Sequence, residues 1–83
     1  MSAEQNVSPE PRPEVLVRLM EVADRYLAAN EIRQAMEMYW ELVEQYEDTP
    51  QAQQARERLM EMAGHYERAG NQHQARGIYE RLV

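Results

Sequence analysis

Residues 19–43 recur forty positions later, at 59–83, with eleven of the twenty-five positions identical. Leu19, Met20, Glu21, Ala23, Tyr26, Ala29, Gln34, Ala35, Tyr39, Leu42 and Val43 return as Leu59, Met60, Glu61, Ala63, Tyr66, Ala69, Gln74, Ala75, Tyr79, Leu82 and Val83. Self-similarity at a fixed period of this length marks stacked supersecondary units, each too small to bury its apolar face alone. Such stacks usually bind other proteins rather than carry out chemistry.

The spacing inside each copy is helical. Apolar side chains fall at Val15, Leu16, Leu19, Met20, Val22, Ala23, Tyr26 and Leu27, with Arg18, Glu21 and Arg25 outside the stripe. Pro13 suits the first turn of a helix and Glu14 its positive end, so a first helix is predicted over 13–29. Asn30 and Gly70 occupy the same repeat position, and these residue types most readily adopt the left-handed conformation that ends a helix. A second helix is predicted over 31–46, with an apolar sector wide enough to be covered on two sides. Asp48, Thr49 and Pro50 supply a cap and a helix-starting proline for a third helix over 50–69. A fourth, over 71–83, repeats the second, and nothing reads as a strand. The expected fold class is all-α, with repeat one over about 13–47 and repeat two over about 50–83. Residues 1–12 read as a flexible tail: the stretch through Pro13 holds three prolines and, after Met1, a single large apolar residue, Val7.

Composition narrows the function. At 83 residues the chain is near the size where one apolar core contributes only about 3–5 kcal/mol, so support from repeats or partners is expected. Fifteen acidic residues oppose nine basic ones, all of them Arg, and the net charge of −6 disfavours nucleic acid and anionic lipid as partners. Without cysteine there is no disulfide, thiolate metal site or cysteine nucleophile. No apolar run approaches the length of a membrane span, and a signal peptide's basic and apolar regions are missing, so the expected compartment is the cytoplasm.

The pattern resembles the tetratricopeptide family of helix-turn-helix repeats. Its signature positions are held in copy one by Leu19, Val22, Ala23, Tyr26, Asn30, Ala35, Tyr39 and Leu42, and in copy two by Leu59, Met62, Ala63, Tyr66, Gly70, Ala75, Tyr79 and Leu82. Both copies lack the family's usual Trp at the first position and place Leu where a small residue is typical near the end. The resemblance spans about 65 of the 83 residues and implies a right-handed superhelical stack of two hairpins. Ala23 and Ala35 would let paired helices approach while Tyr26 and Tyr39 fill the space beside them. The period of 40 exceeds the family's 34, and the six extra residues, about a turn and a half of helix, lie between Val43 and Leu59. A longer second helix and an early start to the third are expected, as in extended repeats of bacterial scaffold proteins.

The family commonly binds peptides on a concave face built from first helices. By position that face comprises Val17, Met20, Asp24 and Leu27 from copy one, with Glu57, Met60, Gly64 and Glu67 from copy two. Adaptable Met side chains beside an acidic rim suit an apolar or basic helical segment, while core packing of Met20 and Met60 is the alternative. The basic and amide residues with which chaperone-binding members clamp a C-terminal carboxylate are absent. A second candidate surface comes from the differences between copies: Ile32, Met36 and Trp40 become Gln72, Arg76 and Glu80. Trp40 either covers the lengthened third helix or stands partly exposed as a partner anchor extended by Tyr46.

Chemistry finds little purchase. His65 and His73 lack further ligands at metal-binding spacing, and the carboxylates of 41, 44, 47, 57 and 61 read as solvated helix faces. The three glycines are isolated and form no phosphate loop. No catalytic, cofactor or metal residue is expected. The sequence points to a non-enzymatic adaptor or accessory subunit that binds a protein or peptide segment. The alternatives are a subunit that self-assembles through its open end around Tyr79, Leu82 and Val83, and a fragment of a longer scaffold array.

Overall fold

The computed structural model describes residues 12–83, so the tail expected over 1–12 lies, Arg12 apart, outside the described residues. Those residues form four helices: α1 Pro13–Ala28, α2 Ile32–Gln45, α3 Pro50–Arg68 and α4 Gln72–Leu82. The chain is all-α, with no strand among the described residues.

Both hairpin turns are closed in the same way. Asn30 has φ 62° and Gly70 has φ 83°, the left-handed conformation expected at these two positions. Beyond Asn30, the amide of Glu31 donates to the carbonyl of Tyr26 at 2.8 Å, and that of Asn30 to Leu27 at 3.0 Å. In copy two Asn71 donates to Tyr66 at 2.7 Å and Gly70 to Glu67 at 3.0 Å. This pair of bonds satisfies carbonyls that the helix end would leave open, and it fixes the turn so that the next helix folds back. The third turn differs. Thr49 Oγ1 donates to the carbonyl of Tyr46 at 2.7 Å and accepts from the amide of Ala52 at 3.1 Å, capping α3 just before Pro50.

The extra residues of the long period go mainly to α3, which has 19 residues. The longer second helix expected from the period does not form: α2 stops at Gln45 after 14 residues, because the Thr49 cap and Pro50 commit the following segment to a new helix.

Each helix packs on the next in sequence, and α1 also touches α3. The core contains no buried polar or charged residue. Ala23, Ala35, Ala63 and Ala75 are buried where helices approach closely, and Tyr39, Leu42 and Leu59 are the largest fully enclosed side chains. Tyr39 thus fills space beside the alanines as expected. Tyr26 does not, since it stands exposed on α1.

The two later glycines separate conformational need from space. A Cβ at either Gly70 or Gly77 would meet no atom within 4 Å, but Gly77 lies inside α4 with ordinary helical backbone while Gly70 has positive φ. Gly77→Ala should therefore stabilise the chain by about 0.5–1 kcal/mol, through the entropy a helical glycine loses on folding. Gly70→Ala should destabilise it by about 1–2 kcal/mol through left-handed strain. Chemical denaturation midpoints that moved in the same direction for both variants would contradict this assignment.

Candidate functional site

Comparing each residue with its counterpart forty positions away shows which side chains one repeat uses to hold the next. The second repeat has a predecessor and the first has a successor, so a difference in burial between counterparts reports the face that the other repeat covers. Val15 is 45% exposed while Ala55 is fully buried, and Leu19 and Val22 are half-buried where Leu59 and Met62 are buried. These positions form the front face of a repeat. In the opposite sense Met20 is 5% exposed while Met60 is 52% exposed, and Tyr39 and Leu42 are enclosed where Tyr79 and Leu82 are half-open. These form its back face.

Three helices meet at Asp24. The Tyr39 hydroxyl of α2 donates to Asp24 Oδ1 at 2.5 Å, and Arg58 of α3 donates from Nε to Oδ1 at 3.1 Å and from Nη2 to Oδ2 at 3.3 Å. Burial, followed by the hydrogen bond and the negative charge of Asp24, pushes the Tyr39 phenol well above its ordinary range. Arg58 is raised in turn by its own hydrogen bonds to Asp24. Copy two rebuilds the motif with different residues. Gly64 stands in place of Asp24, and Tyr79 donates instead to Glu67 Oε1 at 3.0 Å, which raises its phenol too.

Trp40 belongs to the core. It is 6% exposed, and part of its cover comes from α4: the Arg81 guanidinium carbon lies 4.2 Å from the centre of its ring. Arg81 is held there by Glu44, donating from Nε to Oε2 at 2.8 Å and from Nη2 to Oε1 at 3.0 Å. These bonds hold the Glu44 carboxyl below the usual range. His73, Gln74, Gly77 and Ile78 of α4 border a crevice beside Trp40, so the fourth helix adds to the cover of the ring within the core that it shares with α3.

The structure therefore divides the residues singled out in the sequence. Met20 and Trp40 are buried and offer no surface: Met20 sits on the back face that the second repeat covers, and Trp40 lies under Arg81. Asp24 is half-buried and engaged by two donors. Tyr46 is half-buried at the end of α2, its carbonyl accepting from Thr49. Val17 and Met60 are exposed, Leu27 and Gly64 half-buried, and Glu67 is exposed but bonded to Tyr79.

Leu27 opens onto a cleft of about 460 Å³ between the α1–α2 turn and α3. Its walls are mainly apolar, from Leu27, Ile32, Met62 and Tyr66, with Arg58, Glu61 and His65 at the α3 side. Sequence inspection passed over this cleft because Arg58, Glu61, Met62, His65 and Tyr66 share a helical spacing on α3 but are joined by Leu27, Asn30 and Ile32 only through the fold. It also passed over Arg58, although a signal existed: Arg18 and Arg58 are counterparts, one position before the repeat begins to match continuously.

Among the described residues no group of three His, Asp or Glu side chains is placed to hold a metal ion, and no helix is long and apolar enough to cross a membrane. No protein-family model, curated protein or solved structure matches the chain.

Two measurements probe these contacts. Trp40 is the single tryptophan, so its emission reports the Arg81 cover. Arg81→Ser should shift emission to the red and admit a neutral quencher. Acidification should do the same to the native chain. A depressed carboxyl favours the fold above its unfolded value, so the Glu44 contribution is lost as pH falls below about 4. Unchanged emission in both experiments would mean that Arg81 does not shield the ring. Tyr39 acts at the other end of the pH scale. Its raised phenol supports the fold fully below the unfolded value of about 10 and progressively less above it. Tyr39→Phe should cost about 1–3 kcal/mol near neutrality and should flatten the alkaline loss of stability seen in the parent. Equal slopes for the two proteins above about pH 10 would contradict the assignment.

Proposed function

We propose that this chain is a non-enzymatic protein-interaction module, a small tetratricopeptide-like adaptor or accessory subunit working in the cytoplasm. It holds a partner segment along the side where α1 and α3 approach each other. The cleft opening at Leu27 carries this reading, because it sets the single carboxylate of Glu61 beside an apolar floor in the size range of ligand clefts.

The surface extends from Val17 past the Asp24–Arg58 ion pair to the cleft, with Met60, Gly64 and Glu67 along α3. Arg58 and Asp24 pair with one another, and the net charge of the chain is −6, so the exposed carboxylates of Glu57 and Glu61 leave the surface acidic to a partner. A helical segment with apolar residues on one face and Lys or Arg beside them matches that chemistry. Burial of Met20 narrows the site relative to a continuous methionine-lined groove: the middle of the α1 stripe is sealed, and binding depends on its two ends. The contact between α1 and α3 also supports the tetratricopeptide-like reading, since first helices side by side are what lines the inner face of such stacks.

Titration of the isotope-labelled chain with a panel of basic amphipathic helical peptides tests the surface by NMR. Shift changes should concentrate at Val17, Leu27, Glu61 and Met62, and Val17→Asp combined with Glu61→Arg should weaken binding at least about tenfold, the equivalent of 1.4 kcal/mol. Changes confined to α2 and α4, or binding indifferent to both substitutions, would remove this surface from consideration.

A further inference from the structure

We infer that the two open ends of the stack fit one another, so that copies of this chain associate head to tail. The junction between the repeats inside the chain is the guide. There, Met20, Tyr39 and Leu42 of one repeat and Ala55, Leu59 and Met62 of the other are buried in one cluster, where α1 and α2 pack on α3. The same back face is presented open by Met60, Tyr79 and Leu82, and the same front face by Val15, Leu19 and Val22. Three of the back-face residues and one of the front-face residues are identical to their buried counterparts, and the remaining front-face positions stay apolar. A second copy placed by the forty-residue step thus continues an interface that the chain already forms with itself.

Charge agrees with shape. Inside the chain Arg58 closes a triad with Asp24 and Tyr39 across the junction. At the open back end Tyr79 and Glu67 already form the tyrosine–carboxylate pair, without an arginine. At the open front end Arg18, the counterpart of Arg58, makes only a loose 3.7 Å contact with Glu21 and is largely solvent-exposed. Docking the front of one copy on the back of another brings Arg18 to the Tyr79–Glu67 pair and completes the triad. Dissimilar faces make this a heterologous contact, which propagates as an open array rather than closing as a twofold dimer. The α4 side of the junction is polar, with Gln72, Arg76 and Glu80 replacing Ile32, Met36 and Trp40. Association is therefore weaker than the internal junction and reversible with concentration.

Sedimentation velocity on the full chain, from micromolar to millimolar concentration, should show average mass rising without a fixed end point. Val15→Glu blocks only the front and Met60→Glu only the back; both sites are exposed in the single chain, so the fold, checked by circular dichroism, should be retained. Each variant alone should be monomeric. Their equimolar mixture should form a dimer and stop, because one intact front meets one intact back. Arg18→Glu and Glu67→Arg should each weaken association, and a chain carrying both substitutions should recover it through the reversed charge pair. A parent that stays monomeric at millimolar concentration overturns the inference. So does a Met60→Glu protein that still dimerises, which would indicate front-to-front pairing, or a variant mixture that stays monomeric. Val15 and Arg18 lie outside the proposed partner surface, so loss of self-association in their variants with peptide binding intact separates this inference from that reading.

Discussion

The seam between the two repeats supplies what neither repeat has alone. A single hairpin of this size encloses little, whereas at the seam Met20, Tyr39 and Leu42 from one side and Ala55, Leu59 and Met62 from the other are all buried. Full burial of one large aliphatic side chain is worth about 1.5–3 kcal/mol, while an ion pair as exposed as Asp24–Arg58 is worth about 0–1 kcal/mol. The apolar seam therefore carries the stability. The Asp24 triad has a different effect. It joins α1, α2 and α3 through one carboxylate with directional bonds, so it fixes how far the second repeat can slide or rotate on the first.

Position within the stack, more than residue identity, decides how a side chain behaves. Met20 and Met60 are the same residue in the same helical register, yet one is buried and the other open. Periodicity places both on a stripe but cannot say which stripe a neighbour covers, and this is why a groove lined by two methionines was expected and only one is available. The helices themselves were legible to within a residue at each end, because their punctuation is local: Pro13, Asn30, Thr49 with Pro50, and Gly70 each act through their own backbone. The period is less informative, since six extra residues do not by themselves reveal which helix receives them: α3 runs to 19 residues while α2 stops at 14.

Trp40 illustrates a contact that no spacing rule predicts. Its counterpart Glu80 and the polar α4 face suggested either a third-helix cover or an exposed anchor. The ring is buried in the core, and an arginine from α4 lies over it, held by a carboxylate one turn along α2. Arg81 and Glu44 are 37 residues apart and look like ordinary surface charges in the sequence. Only the stacking of one hairpin on the other places them together, and the amphipathic length of the arginine side chain lets it close an apolar crevice while its charge stays near solvent.

The differences between the copies also sort by helix. Along α4 the apolar triplet of α2 becomes polar, and Arg76 pairs with Glu80 on the solvated face. Yet Met60, Tyr79 and Leu82 keep the residues that bury at the seam, although solvation alone would not require it. On the head-to-tail reading, the end of the stack is half solvated and half adhesive. An end made wholly apolar would bind indiscriminately, while one made wholly polar would terminate the stack as a capping repeat does. With a net charge of −6 repelling other copies at long range, the mixed end favours contact only where Arg18 meets Glu67, so electrostatics select the register that the apolar residues then stabilise.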